Sequence, residues 1–296
     1  MIEQTSVRAA SMDPALHPAL PTALPTALPK QPDFLTAPLT LTSSKRVIND
    51  FLTWFGDLGI FFWQVVHAAV TPPFEFHELF LQLDDIGSKS LPLVALAGAA
   101  TGVVLSLEAR YSLTRFGAKS LLPAAIVFSV IHETGPIITG LVVSGRVGAG
   151  IGAELASMKV TEQIDAIEAS AVNPYRLLAA TRILACVVML PLLTLAADVS
   201  GLFMGWVTQA LVEPLSLHQF INSGFKSATF NDFLPPTFKT AVFGLIIGLI
   251  ACFQGMRTEG GAAGVGRAAT SSVVLSSLFV ILADVVLVKL ILIFFP

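Results

Sequence analysis

Long apolar runs separated by short polar stretches make up most of the chain. An α-helix rises about 1.5 Å per residue, so crossing a hydrocarbon core about 30 Å thick takes roughly 20 mostly apolar residues. Five runs reach or approach this length. They are residues 91–107, 121–143, 183–207, 240–253 with flanking residues, and 273–295. The pattern predicts an all-α polytopic membrane protein with five transmembrane helices.

Residues 47–88, which precede the first run, are rich in Trp and Phe and are interrupted at Thr71-Pro72-Pro73. Aromatic residues at this density are typical of the membrane–water interface. We therefore predict one or two interfacial helices here. A sixth span is the alternative, and the Gly56-Asp57 dipeptide and the proline pair argue against it.

Residues 1–46 carry the repeated tetrad Pro-Thr-Ala-Leu, starting at Pro21 and Pro25, among seven prolines. Proline removes a backbone donor and opposes helix, so a disordered or extended tail is predicted. The basic start and apolar stretch of a signal peptide are missing. A proline-rich ligand for a partner is the alternative interpretation.

Three of the apolar runs contain glycines four residues apart, a spacing that lets helix backbones approach closely in lipid. These pairs are Gly98/Gly102, Gly201/Gly205 and Gly244/Gly248. They predict a tightly packed bundle or a dimer seam, although small residues are also common in membrane helices generally.

Composition narrows the classes of function. Hydrophobic residues make up 54% of the chain, charged residues 12%, and the net charge of −3 does not suggest a nucleic-acid partner. The glycine-rich stretch 145–152 follows a membrane-length apolar run and not a strand of a βαβ unit, so a dinucleotide site is excluded. The stretch 261–268 lacks the lysine and hydroxyl of a phosphate loop, so another chain must hydrolyse any nucleotide that is used. Neither a nucleophile elbow nor metal-ligand spacing occurs, so we expect no catalytic residue, metal or bound cofactor.

The distribution of basic residues predicts the orientation in the membrane. A cytoplasmic N-terminus and an external C-terminus would place most lysines and arginines inside, as the positive-inside rule requires. The basic residues then counted as external are Arg110, Arg115, Lys119, Lys226 and Lys239.

The polar stretch 145–182 joins two apolar runs. Apolar residues at helical spacing (Val160, Ile164, Ile167 and Ala171) and acids three residues apart (Glu162, Asp165 and Glu168) occupy different faces there. We predict one amphipathic helix that ends at Asn173-Pro174. It is either a solvated surface helix or a coupling helix that a soluble ATPase grips.

Several motifs in this region resemble the MlaE/YrbE permease family, the membrane subunits of Mce-type ABC transporters. The matching segments are Glu-Thr-Gly-Pro at 133–136, Ser-Gly-Arg-Val-Gly at 144–148, Ala-Glu-Leu at 153–155, Met-Lys-Val-Thr-Glu-Gln-Ile-Asp-Ala at 158–166, Asn-Pro at 173–174 and the glycine-rich 260–270. The resemblance extends from about residue 88 to the C-terminus.

The resemblance implies a permease domain at 89–296 with a coupling helix near 154–172. The residues it assigns to ATPase coupling are Glu154, Met158, Lys159, Thr161, Glu162, Gln163, Asp165 and Glu168. It also implies a homodimer in the inner membrane, a cytoplasmic ABC ATPase that holds ATP and Mg, a hexameric Mce-domain protein outside, and a STAS-domain regulator. The implied cargo is phospholipid or a similar amphiphile.

The resemblance also suggests a lipid pathway near Tyr111, His132, Glu133 and Thr134. The family commonly has Arg-Glu where this chain has His132-Glu133. An ionisable residue inside a span usually faces a cavity or a partner. The alternative is that Glu133 is a satisfied structural residue beside Gly135-Pro136.

Two other classes of protein remain open from the residues alone. A secondary, ion-coupled transporter would show inverted repeats and helices broken at mid-membrane, and no clear repeat is present. A membrane scaffold that transports nothing is the other class.

Overall fold

The computed structural model describes residues 41–72, 75–226 and 230–294, without the side chains of residues 41–48, 50–51 and 230–233. Within these ranges the chain is helical and contains no strand. The α-helices are α1 (Leu41–Val70), α2 (Phe76–Arg115), α3 (Leu122–Ser129), α4 (Gly135–Val143), α5 (Ala149–Val160), α6 (Gln163–Ala169), α7 (Thr181–Ala210), α8 (Leu217–Phe225), α9 (Phe230–Met256) and α10 (Gly261–Phe294).

Five helical stretches are long and apolar enough to cross a membrane, which confirms the predicted all-α polytopic fold. These spans are Phe76–Arg115, Lys119–Val160, Tyr175–Ala210, Leu234–Met256 and Gly261–Phe294. The second span consists of α3, α4 and α5, and the second and third spans are not regular α-helices. π-Helical turns lie at Val130–Thr134, Ser144–Gly148 and Tyr175–Ala180.

The spans are longer than their apolar runs. The 40 residues of α2 reach about 60 Å at 1.5 Å per residue, about twice the hydrocarbon thickness. Residues 76–88, expected in the interfacial region, therefore belong to the first spanning helix. A helix can continue through polar residues beyond the lipid, because a run of apolar residues marks only the part of the helix that lies inside the membrane.

Helix α1 is continuous through Gly56-Asp57, so the expected break there is wrong, and it is not one of the five spans. Trp54 stacks on Phe279 at 5.9 Å between ring centroids, and Asp57 pairs with Arg257 at 2.6 Å. These contacts hold the part of α1 from Leu52 onward against α10 and against Arg257, which follows α9. The helix starts at Leu41, inside the predicted tail, whose other residues 1–40 lie outside the described residues.

The glycine pairs bring helices together within one chain. A Cβ atom on Gly98 or Gly102 would overlap backbone atoms of Ala197 or Gly201 on α7, and one on Gly244 would overlap the carbonyl of Cys186. Contact of this kind needs residues without side chains. The predicted close packing thus occurs between α2 and α7 and between α7 and α9.

The alternating spans define two ends of the bundle. Helices α5 and α6 and residues 257–260 lie at one, here called the α6 end; residues 116–118 and α8 lie at the other, the α8 end. At the α8 end, Glu213 accepts hydrogen bonds from Arg110 at 2.7 Å and Lys119 at 3.1 Å. The hydrogen bond from Lys119, with the positive charges of Arg110 and Lys119, lowers the pKa of Glu213 below its usual value.

Candidate functional site

A group of charged side chains lies inside the bundle around Lys239 of α9. Its Nζ atom is 2.9 Å from Oδ1 of Asp284 on α10 and 3.2 Å from Oε2 of Glu133. Lys239 and Asp284 are buried, whereas the Glu133 side chain is 49% exposed. One cation therefore meets two carboxylates in the apolar interior, and one of the carboxylates is open to the surroundings.

The backbone around Glu133 explains why Lys239 binds there. Pro136 has no N–H, so the carbonyl of His132 lacks the donor that an α-helix would supply four residues later. Lys239 Nζ donates to this carbonyl at 2.9 Å instead. The N–H of Gly135 bonds to Val130 O, which is the π-helical pattern. Such π-helical turns are frequent at functional sites.

Glycine at position 135 allows α7 to approach this turn. A Cβ atom there would overlap the carboxylate of Asp198 and lie near the carbonyl of Val130. The side chain of Asp198 is buried. The turn that carries His132 and Glu133 is therefore packed directly against α7.

Two apolar cavities meet at Lys239 and Ile291. The first, of about 310 Å³, is lined by Phe128, Ser129, His132, Glu133, Pro236, Lys239, Val288, Ile291 and Leu292. The second, of about 380 Å³, is lined by Leu234, Pro235, Phe238, Lys239, Val242, Leu287 and Ile291. Apolar walls with a few converging polar groups are typical of a ligand site. The lining therefore combines apolar walls with the charged groups around Lys239.

The structure brings together only two of the four residues expected on the lipid pathway. His132 and Glu133 line the first cavity, and the His132 ring stacks on Phe128. Thr134 lines a separate cavity with Thr101 and Glu108, since adjacent helical residues point about 100° apart. Tyr111 contacts Arg115 and lines none of these cavities.

Sequence analysis misplaced Lys239 and did not identify Asp284 as its partner. Lys239 was counted among the external basic residues, but it is 3% exposed and lies within the span Leu234–Met256. The sequence did contain a signal for this ion pair, namely a single lysine and a single aspartate that each lie within or next to an apolar run. An ion pair in the interior is the usual reason for such residues.

At the α6 end, the expected single amphipathic helix is wrong because two helices meet there. Thr161 and Glu162 separate α5 from α6, and Glu162 has a left-handed backbone with φ 60°. Glu162 therefore does not share a regular helical edge with Asp165 and Glu168. The predicted apolar face of α6 exists, since Ile164 is buried and Ile167 packs against the core.

The residues expected to couple to an ATPase differ in their surroundings. Lys159 donates to Asp165 at 2.8 Å, and Glu154 pairs with Arg182 at 2.7 Å, so three of them have ion-pair partners in their own chain. Met158 packs against the core. The other four residues are exposed, as Glu154 and Asp165 also are: Thr161, Glu162, Gln163 and Glu168.

A family model described as Permease MlaE matches residues 79–290. The chain belongs to the MlaE permease family. The match starts within α2 and ends near the close of α10, so it covers all or most of each of the five spans and leaves out α1. This confirms the resemblance, and the protein is a multi-pass membrane permease of an ABC transporter.

Three relatives show how far the permease sequence is shared. A probable ABC transporter permease protein of Rickettsia felis is 35% identical over 83% of this chain and 95% of its own length. The probable ABC transporter permease protein slr1045 of Synechocystis is 32% identical, over 69% and 77% of the two chains. The protein trigalactosyldiacylglycerol 1, chloroplastic, of Arabidopsis thaliana is 31% identical, over 76% and 64%.

Proposed function

We propose that the permease moves phospholipids or similar amphiphiles between the inner membrane and an Mce-domain carrier, powered by a separate ATPase. The observation that carries this proposal is the buried Lys239, which lies between two apolar cavities and faces Glu133 and Asp284. Acyl chains match the apolar walls. An ammonium group is a point charge that binds phosphate, so Lys239 matches an anionic headgroup.

The half-exposed Glu133 would control access of the headgroup to Lys239. Because Glu133 and Asp284 both pair with Lys239, a phosphate must compete with a carboxylate for this cation. Glu133 is the more exposed of the two, so it is the one that would be displaced. One relative is named after a galactolipid, trigalactosyldiacylglycerol, which supports a lipid cargo.

The proposed assembly is a homodimer of permeases with ATPase subunits at the α6 end, which would be cytoplasmic. ATP and Mg would be held by the ATPase, and a STAS-domain regulator would attach to it. The Mce-domain protein would sit at the α8 end, which would be periplasmic. ATP binding would close the ATPases and move α6 and α5, and this motion would change the shape of the cavities, as in other two-state couplings.

Family membership places the permease in an ABC transporter, so coupling to an ion gradient, as in a secondary transporter, is kept only as the alternative energy source. The same intramembrane lysine and acids favour it, because ionisable groups within spans also serve as proton relays. The two candidates differ in their energy source. Transport that requires ATP and does not dissipate a proton gradient supports the first candidate. Transport that dissipates a proton gradient and does not require ATP supports the second.

The test is transfer of a fluorescent phospholipid from proteoliposomes that contain the permease with its co-expressed ATPase and carrier. With ATP present, we expect transfer that survives a proton ionophore. Lys239→Gln should lower the transfer rate about tenfold or more, which corresponds to about 1.4 kcal/mol of lost stabilisation. Lys289→Gln is the control, since Lys289 is exposed and lines neither cavity. Equal transfer by the two variants would refute the role of the Lys239 site.

A further inference from the structure

An ion pair at the α6 end joins the coupling region to the third span. Oε1 of Glu154 on α5 is 2.7 Å from Nη2 of Arg182, which lies in the first turn of α7. The Arg182 side chain is 3% exposed and that of Glu154 is 54% exposed. The pair therefore connects a buried cation on one helix to an accessible carboxylate on another.

Arg182 is held from two directions. Its Nη1 donates to the carbonyl of Leu178 at 3.0 Å, in the π-helical turn Tyr175–Ala180 that leads into α7. Its Nε is buried without a hydrogen-bond partner among the described residues. Among those residues, Glu154 is the carboxylate within ion-pair distance. The positive charge of Arg182 thus depends on α5 for its compensation.

Helix α5 is packed tightly enough to move as a unit. A Cβ atom on Gly255 of α9 would overlap Leu155, and one on Gly152 would overlap Ser272 of α10. At the other end of α5, the ion pair of Lys159 with Asp165 ties it to α6. The ion pair and the short turn between the helices would therefore link a displacement of α6 to α5.

Helix α7 reaches from Arg182 to the candidate lipid site. Four turns further along α7, Asp198 lies against Gly135, at the end of the turn that holds His132 and Glu133. The contacts form one continuous series: α6 to α5, α5 to Arg182, and α7 to the Glu133 turn. Packed elements of this kind carry coupling between distant sites when they have two arrangements.

We propose that the Glu154–Arg182 pair transmits motion of α5 and α6 to α7, so that Glu154 is a positioning residue and not an ATPase contact. This inference rests on the proposed function, because the ATPase would supply the motion. Separation of α7 from α5 would leave the buried Arg182 without its carboxylate, and a buried charge without a partner is energetically costly. Helix α7 is therefore expected to move with α5. The sequence grouped Glu154 with the ATPase contacts, whereas the structure pairs it with a spanning helix.

The test uses Glu154→Gln in the complete complex of permease, ATPase and carrier. Glutamine keeps the size of the side chain and removes the charge that Arg182 needs. We expect the variant to retain its ATPase and to hydrolyse ATP, while the lipid transferred per ATP falls about fivefold or more. Asp85→Asn is the matched control, because Asp85 lines the same 190 Å³ cavity as Glu154 but pairs with Lys89.

Exchange of the two charges gives a rescue experiment. The double variant Glu154→Arg with Arg182→Glu should recover part of the lipid transferred per ATP, since the pair can form again in reverse. Loss of ATPase from Glu154→Gln would show direct contact and overturn the inference. Unchanged lipid transfer per ATP would overturn it as well, and so would equal effects of Glu154→Gln and Asp85→Asn.

A second readout does not depend on the cargo. A nitroxide on Leu192→Cys, an exposed position of α7, reports the distance between the α7 helices of the homodimer. We expect this distance to change on ATP binding in the parent protein and to stay constant with Glu154→Gln. A change that persists in the variant contradicts the inference. If the parent protein shows this change but transfers no lipid, the proposed cargo is wrong and the proposed link is retained.

Discussion

Lys239 is the residue whose surroundings depart most from those of an ordinary membrane helix. Two carboxylates and one backbone carbonyl satisfy its ammonium group in an apolar interior. Removing one partner of a buried pair leaves the other uncompensated, whereas removing both can be nearly neutral. Stability and transport should therefore respond differently to changes at this site.

Lys239→Met should destabilise the permease by about 3–5 kcal/mol, because Asp284 then has a buried charge without its cation. The double variant Lys239→Met with Asp284→Leu should regain most of this loss. Thermal unfolding in detergent measures both. Neither variant should transport lipid. A double variant as unstable as the single one would show that the lysine stabilises the bundle in some other way.

Gly135→Ala should also destabilise the permease, because its new methyl group overlaps the carboxylate of Asp198. Overpacking of this kind costs about 1–3 kcal/mol. Gly150→Ala is the matched control, since a Cβ atom there meets nothing within 4 Å. We expect the control to be neutral or slightly stabilising, because alanine favours helix. Equal melting temperatures for the two variants would contradict the observed approach of α7.

At the scale of elements, the division between α5 and α6 changes how the acidic residues act. All three acids are exposed, but Asp165 pairs with Lys159 across the turn, so its charge already has a partner within the chain. Glu162 and Glu168 are therefore the two acids that we expect to meet basic groups of the proposed ATPase. Exposed ion pairs contribute roughly 0–1 kcal/mol each, so single neutralisations should have small effects.

The double reversal Glu162→Lys with Glu168→Lys should release the ATPase, because like charges placed at a contact cost several kcal/mol. The permease should remain folded in the membrane, since both residues lie in the exposed region around α6. The amount of ATPase that co-purifies with the tagged variant measures this. Glu78→Lys, on α2, is the control. If the double variant co-purifies with as much active ATPase as the parent protein, the two acids are only solvated surface residues and the expected contact is wrong.

Glu213 follows α7 and forms ion pairs with Arg110 of α2 and with Lys119 at the start of the second span. These ion pairs connect three parts of the α8 end. Its pKa is lowered in the folded protein. The stabilisation is therefore complete above the unfolded value of about 4.5 and is lost as the pH falls through the lowered value.

Acidification should accordingly cost the parent protein more stability than it costs Glu213→Gln. The difference between the melting temperatures at pH 7 and about pH 3.5 should be smaller in the variant, because glutamine does not titrate. Glu108→Gln serves as the control for loss of an acid. An identical pH response in parent and Glu213→Gln would show that the ion pairs do not stabilise this end.

For the whole molecule, five spans place the two ends of the helical bundle on opposite sides of the membrane. Basic residues favour the α6 end as the cytoplasmic side, and the burial of Lys239 removes one residue from the external count. A pH-sensitive fluorescent protein fused at the N-terminus should fail to respond to external acid, and one at the C-terminus should respond. The reverse result would invert the proposed sites of the ATPase and the carrier.

The sequence alone determined the class of fold, the number of spans and the family. Each of these depends on local patterns: the length of an apolar run, or a motif such as residues 158–166. The helix ends were less predictable, because α2 continues past its apolar part through residues 76–88. The turn at Glu162 was missed because helical spacing continues across it in the sequence.

Only the tertiary structure decided which charges meet. Glu133, Lys239 and Asp284 come from three different spans, and Glu154 and Arg182 from two. Hydropathy states that a charged residue within a span needs a partner, but it does not name the partner. That choice depends on how the helices pack, and here the packing is set by the close contacts of glycines such as Gly98, Gly135 and Gly255 with neighbouring helices.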